Sequence, residues 1–165
     1  MGLSDSLAIG MSMDVHVFVD DRPLVLGGVP VEHDRGLGGH SDGDVLLHAI
    51  MDAVLSACDL PDIGQLFPDT SDVNKGRSSV DMAREVARQV QASGARILSI
   101  DSVLICPVPK VAPVRAAIRE SVADVFGVSP SKVNVKGRTY EGLGPLGEKQ
   151  AVEARAVALV ERGGA

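Results

Sequence analysis

ILSIDSVLICPVPKVAPVRAAIRESVADVFGVSPSKVNVKGRT, residues 97–139, carries one complete strand–helix–strand unit. Residues 97–105 are rich in β-branched and apolar side chains, the signature of a strand. Cys106-Pro107-Val108-Pro109-Lys110 is a rigid loop, because its prolines fix φ. Pro113 opens a helix that ends at Gly127. Residues 132–139 return as a strand. Two strands that flank a helix pair in parallel through a right-handed crossover.

Reading outward, residues 140–147 form a glycine-rich loop and residues 149–161 a final helix. Upstream, Ser78 or Ser79 starts a helix with Val86, Ala87 and Val90 inward and Gly94 as its stop. Residues 59–75 are irregular, with Pro61, Pro68 and several acids. Leu47, Ile50, Met51, Val54 and Leu55 recur at helical spacing, and Ser41 or Asp42 is placed to cap that helix. The loop Gly36-Leu37-Gly38-Gly39 precedes it. Residues 24–31 read as a second strand, bent at Gly27-Gly28, and residues 7–19 as the first. The order is β, β, α, α, β, α, β, α. It predicts an α+β fold of two layers, one mixed sheet of four to five strands covered by helices. All 165 residues fit one domain, 1–165.

Composition narrows the function. Aromatic residues are only 2%, with no Trp and one Tyr, which leaves no platform for stacking bases. The net charge of −6 and pI near 5.1 disfavour wrapping of polyanions. No nucleic acid is therefore expected as partner. No apolar run approaches the roughly 20 residues of a membrane span, so no membrane is expected either. Two cysteines, Cys58 and Cys106, make neither a disulfide framework nor a four-thiolate zinc site. They read as buried small hydrophobes in a reducing, cytoplasmic setting.

The chemistry-bearing residues cluster. In Asp14-Val15-His16 the strand alternation sends Asp14 and His16 to one side, and Val15 and Val17 to the other, into the core. Asp44, His48 and Asp52 recur every four residues on one helix face. His48 is the candidate third ligand beside Asp14 and His16. An Asp/His/His set with an open fourth position suits catalytic Zn²⁺ and tolerates other divalent transition metals. The alternative is a solvated polar face on that helix. His33, between Glu32 and Asp34, reads as a solvated turn. Residues 36–41 lead to a helix N-terminus that suits an anion, with His40 and Ser41 as extra donors, or form only a turn. Pro107-Val108-Pro109-Lys110 offers backbone and a cation to a base edge, or is a connector. Glu141 is placed to hold a second hard cation, Mg²⁺ or Mn²⁺, between phosphate oxygens, or is a surface acid.

Several of these segments stand in register with a known family. They are Asp14-Val15-His16, His40-Ser41-Asp42-Gly43-Asp44-Val45 with His48, Asp62-Ile63-Gly64, Leu66-Phe67-Pro68-Asp69-Thr70, Pro109-Lys110 and Val133-Asn134-Val135-Lys136. The chain resembles the 2-C-methyl-D-erythritol 2,4-cyclodiphosphate synthase family over residues 9–160. The resemblance implies a homotrimer with sites between subunits. It implies Asp14, His16 and His48 as zinc ligands and Glu141 as holder of the second divalent ion. His40, Ser41 and the hydroxyl of Thr139 match phosphate contacts. Asp62 and Gly64 match the ribose and substrate region, and Asp69 lies in the matched Phe-Pro-Asp-Thr run. Pro109 and Lys110 match the loop that holds the cytosine. The implied reaction folds a CDP-linked methylerythritol 2-phosphate so that its 2-phosphate attacks the β-phosphorus and CMP leaves.

Three places depart from the family pattern. Gly10-Met11-Ser12-Met13 replaces Gly-His-Gly-Phe, Arg138 and Tyr140 replace small or hydroxyl residues, and Glu148 stands where an arginine meets phosphate. Reversing one charge about 4 Å from a phosphate, at an effective ε of ~20, is worth several kcal/mol before screening. Either Arg138 or Lys149 supplies the cation from nearby, or the substrate is another CDP-linked compound. A trimeric cytidine-nucleotide-binding protein without catalysis is the remaining alternative.

Overall fold

A computed structural model describes residues 6–163. Its strands are β1 (Leu7–Val19), β2 (Leu24–Leu26), β3 (Val29–Val31), β4 (Gly36–Leu37), β5 (Arg96–Ile105), β6 (Val133–Arg138) and β7 (Ala151–Glu161). Its helices are α1 (Val45–Ala57), α2 (Ile63–Leu66), α3 (Ser79–Ala92), α4 (Arg115–Phe126) and α5 (Gly144–Gly147). One five-stranded sheet runs in the order β4-β1-β7-β5-β6. β5 and β6 pair in parallel around α4, and all other neighbours are antiparallel. The α+β, two-layer reading with a mixed sheet therefore holds. Among the described residues, no helix is long and apolar enough to cross a membrane.

The predicted C-terminal helix is the main correction. Residues 151–161 form β7, the central strand, paired along its length with β1 and also with β5. Its period is two: Ala154, Ala156 and Ala158 are buried, while Arg155 and Val157 are exposed. Alanine favours helices intrinsically. Here its small size matters more, because it lets α1 lie close over β7. Gly10 does the same on β1: a Cβ there would stand 1.9 Å from the Ala53 carbonyl oxygen.

Residues 24–31 are not one bent strand but a hairpin, β2–β3. Gly27 and Gly28 at its tip have φ of 61° and 78°, which suits the type I′ turn that matches strand twist. The predicted irregular segment 59–75 holds α2 and a short 3-10 turn, and the glycine loop holds α5.

α1 is buried at eleven of its thirteen positions. It has no solvated polar face, so that alternative is excluded. Val15 and Val17 do not enter the core, being 52% and 58% exposed. The even positions of β1 meet α1. The odd ones (Ile9, Met11, Met13, Val15, Val17) form an apolar row on the outer face of the sheet.

Candidate functional site

The strand and helix ligands meet. Asp14 Oδ2 lies 2.8 Å from His16 Nε2 and 3.1 Å from His48 Nδ1, and the two imidazole nitrogens are 3.3 Å apart. One ligand atom from each residue falls within 4.8 Å of the others. β1 supplies the first two through its alternation. α1 supplies His48 because Gly10 lets the helix lie so near the strand. The carboxylate oxygen and two imidazole nitrogens are a donor set that fits a divalent transition metal.

Electrostatics bind this cluster together. Burial would raise the Asp14 carboxyl, but the His16 and His48 imidazoles in contact with it outweigh that and hold the group well below the usual range. Burial would lower His16, yet its bond to Asp14 outweighs that and raises it. The pair favours carboxylate and imidazolium, so a divalent cation entering the cluster competes with a proton. His16 Nδ1 donates to the Gly38 carbonyl, which leaves Nε2 as the ligating atom. Gly39 closes over the same ring; a Cβ there would sit 2.8 Å from His16 Cε1. The glycine loop thus orients a ligand.

The three predicted helix residues separate into different roles. Asp44, rather than Ser41 or Asp42, caps α1, accepting from Leu47 N–H at 3.1 Å. Its carboxylate also accepts from Gly27 N–H at 2.9 Å and Gly28 N–H at 2.6 Å, and so fixes the β2–β3 turn. Asp52 Oδ1 accepts from Ile63 N–H at 2.8 Å and anchors α2; burial raises its carboxyl. Only His48 joins the metal cluster. His33 packs instead on the Phe18 ring, 5.2 Å between centroids.

The candidate ligand-binding residues fall into two separate concavities. A cavity of about 290 Å³ beside the metal cluster is lined by His40, Ser41, His48, Gly64, Phe67 and Asp69 among others. Asp62 lies outside it. It caps α2 through Gln65 N–H at 2.9 Å and lines a shallow acidic depression with Asp52 and Asp59. A groove of about 550 Å³ lies at the end of β6, lined by Lys110, Arg115, Lys136, Arg138, Thr139 and Glu141 among others. Thr139 Oγ1 donates to Glu141 Oε1 at 2.5 Å. The Val108–Pro109 bond is cis, and the Cys106 thiol contacts the Val108 carbonyl at 3.2 Å behind that loop. Among the described residues the Arg138 guanidinium donates only to the adjacent Gly137 carbonyl, at 3.0 Å, which leaves most of its donors open in the groove. Glu148 and Lys149 do not line the groove. The two concavities share no lining residue.

Sequence reasoning missed Ser79, which contacts His48, and Arg115, which lines the groove. Ser79 reads as a helix start. Its contacts with Asp42 and His48 are 37 and 31 residues away, and no local pattern signals them.

The YgbB family matches residues 7–161. A 2-C-methyl-D-erythritol 2,4-cyclodiphosphate synthase of Chromobacterium violaceum is 51% identical over 152 residues, covering 92% of this chain and 96% of the relative. The IspF structure of Plasmodium falciparum in complex with CDP superposes with a TM-score of 0.83 at 31% identity, covering 96% of this chain and 98% of that one. The bifunctional IspDF of Campylobacter jejuni superposes with a TM-score of 0.91 at 33% identity, and this chain covers 42% of it.

Proposed function

The chain belongs to the YgbB family, and we propose that it is a cytoplasmic, one-domain 2-C-methyl-D-erythritol 2,4-cyclodiphosphate synthase working as a homotrimer. It cyclises 4-CDP-2-C-methyl-D-erythritol 2-phosphate. An oxygen of the 2-phosphate forms a bond to the β-phosphorus, the bond from that phosphorus to the bridging oxygen breaks, and CMP leaves with that oxygen. The observation that carries this reading is the convergence of Asp14, His16 and His48 in a chain similar over 92% of its length to a synthase of this name. Two unpaired thiols, Cys58 and Cys106, suit a reducing compartment.

A divalent ion at Asp14, His16 and His48, Zn²⁺ or another transition metal, and Mg²⁺ or Mn²⁺ at Glu141 supply Lewis-acid charge to the diphosphate. The chain's own task is positioning, since no side-chain nucleophile is required. Pro109 and Lys110 hold the cytosine against the rigid loop. His40 and Ser41 donate to phosphate from the metal side, and Thr139 from the groove side. Asp62, Gly64 and Asp69 border the sugar and methylerythritol region. Arg138 supplies the cation that Glu148 cannot, because it lines the groove with Lys110, Thr139 and Glu141.

Two features support the trimer. The outer sheet face exposes Ile9 and Met11 at 72% each, in a row with Met13, Val15 and Val17; such a row calls for cover. The metal cluster and the Lys110 groove are separate concavities on one chain. A substrate with a cytidine end and a phosphate end needs both, so a neighbouring copy completes each site.

The test is incubation of purified protein with the CDP-linked substrate and a divalent metal. CMP and the cyclic diphosphate are expected in equal amounts. A metal-loaded protein that releases no CMP above background rejects the assignment.

A further inference from the structure

We infer that Asp42 and Ser79 are positioning residues that set the tautomer of His48 and thereby present its Nδ1 to the metal. The inference rests on the metal reading of the Asp14–His16–His48 cluster.

Counting protons gives the direction of the relay. Asp42 Oδ2 accepts from the Ser79 backbone N–H at 2.9 Å, and Asp42 Oδ1 accepts from the Ser79 hydroxyl. A serine hydroxyl has one proton and that proton is committed to the carboxylate. Ser79 Oγ also lies 3.0 Å from His48 Nε2, so in this contact it can only accept. His48 therefore carries its proton on Nε2. Its Nδ1 is left with a lone pair, and this is the atom that faces Asp14 Oδ2 and His16 Nε2.

The surroundings hold the relay in place. Ser79 is fully buried, which keeps its side of the relay away from water. Asp42 N–H donates to the Arg77 carbonyl at 3.1 Å and Gly76 N–H to the His40 carbonyl at 2.8 Å, which fastens the two segments side by side. Ser41 Oγ also approaches His48 Nε2, at 3.0 Å, but it lines the cavity beside the cluster. With Ser79 taking the imidazole proton, the Ser41 hydroxyl is free to donate to a ligand there.

Asp42→Asn reverses the relay in a side chain of the same size, giving up only the long contact, 3.3 Å, that Asp42 Oδ1 accepts from the Asp44 N–H. The amide nitrogen would donate to Ser79 Oγ, Ser79 would turn its hydroxyl proton to His48 Nε2, and the imidazole proton would move to Nδ1, where it blocks the metal. The experiment uses the full chain stripped of metal and labelled with ¹⁵N. Long-range ¹H–¹⁵N spectra should show His48 as the Nε2–H tautomer in the wild type and shifted towards Nδ1–H in Asp42→Asn. Zn²⁺ affinity, measured by competition with a chromophoric chelator, should fall about 10- to 100-fold in Asp42→Asn. Ser79→Ala, which deletes the acceptor without inverting it, should fall less. A wild-type His48 protonated on Nδ1, or Zn²⁺ affinity unchanged in a folded Asp42→Asn protein, overturns the inference. Failure of the wild type to bind Zn²⁺ would instead sink the metal reading, and the tautomer spectra would still decide the relay.

Discussion

Cys106 shows how much of the site depends on single buried atoms. Burial pushes its thiol from the ordinary 9.0 up to about 12, against a weaker opposing pull from its hydrogen bond to Val108. A group raised in the folded state stabilises the fold fully below its unfolded value and loses that contribution as pH rises. The window here runs from about 9 to about 12. Urea unfolding of the wild type and Cys106→Ala across that window should therefore converge: the stability gap between them narrows with rising pH. A gap that stays constant up to pH 11 would remove the thiol from the account. At the metal cluster, Asp14 lies within reach of both imidazoles. Asp14→Asn keeps the shape but gives up the charge, so stoichiometric zinc by elemental analysis should be lost while far-UV circular dichroism is unchanged. Retained zinc would refute Asp14 as a ligand. These residues were legible in the sequence because strand alternation and the Asp-X-His spacing are local. Asp42 and Ser79 were not, because their role exists only where two distant loops meet.

At the level of elements, the contact between β1 and α1 decides where His48 stands. Gly10 is the one β1 position where a side chain would run into backbone, 1.9 Å from the Ala53 carbonyl oxygen and 2.6 Å from the Ala57 nitrogen. Neither can move without moving the helix that carries His48. Gly10→Ala should cost about 3 kcal/mol, the upper end for overpacking, because the obstacle is main chain. It should also weaken zinc binding, since the cluster spans the same interface. Equilibrium urea unfolding with a chelator competition on the folded fraction measures both; wild-type values for each would show that the helix is free to shift. The closeness of this packing also explains where the sequence misled. The alanines of β7 are there to make room for α1, yet alanine-rich segments read as helix when taken alone. Conversely, the unit from β5 through α4 to β6 was legible throughout, because prolines, Gly127 and β-branched runs mark its boundaries within a few residues of chain. The hairpin at Gly27-Gly28 was half legible. The bend was marked by the two glycines, but the partner that fixes it, Asp44, lies in another element.

For the whole molecule, the question is where one active site ends. The metal cluster with its cavity and the groove with Lys110 and Glu141 share no residue, and an apolar row lies exposed on the outer sheet face. The proposed homotrimer, joining the cluster of one copy to the groove of the next, would account for both. Met11→Lys places a charge in the middle of that row, so sedimentation velocity should show a smaller species and CMP release should fall with it. A trimer of unchanged mass would move the interface elsewhere. A sharper measurement uses two damaged copies. His48→Ala removes the metal half and Glu141→Ala the groove half, and each homotrimer should be inactive. In trimers formed from an equal mixture, a given site draws its two halves from different chains. About a quarter of the sites should then combine an intact cluster with an intact groove, and CMP release should recover to about that fraction of wild type. If each chain built its own site, no pairing of the two variants could restore an intact one. The mixture would stay as inactive as its parents, and the split between subunits would be wrong.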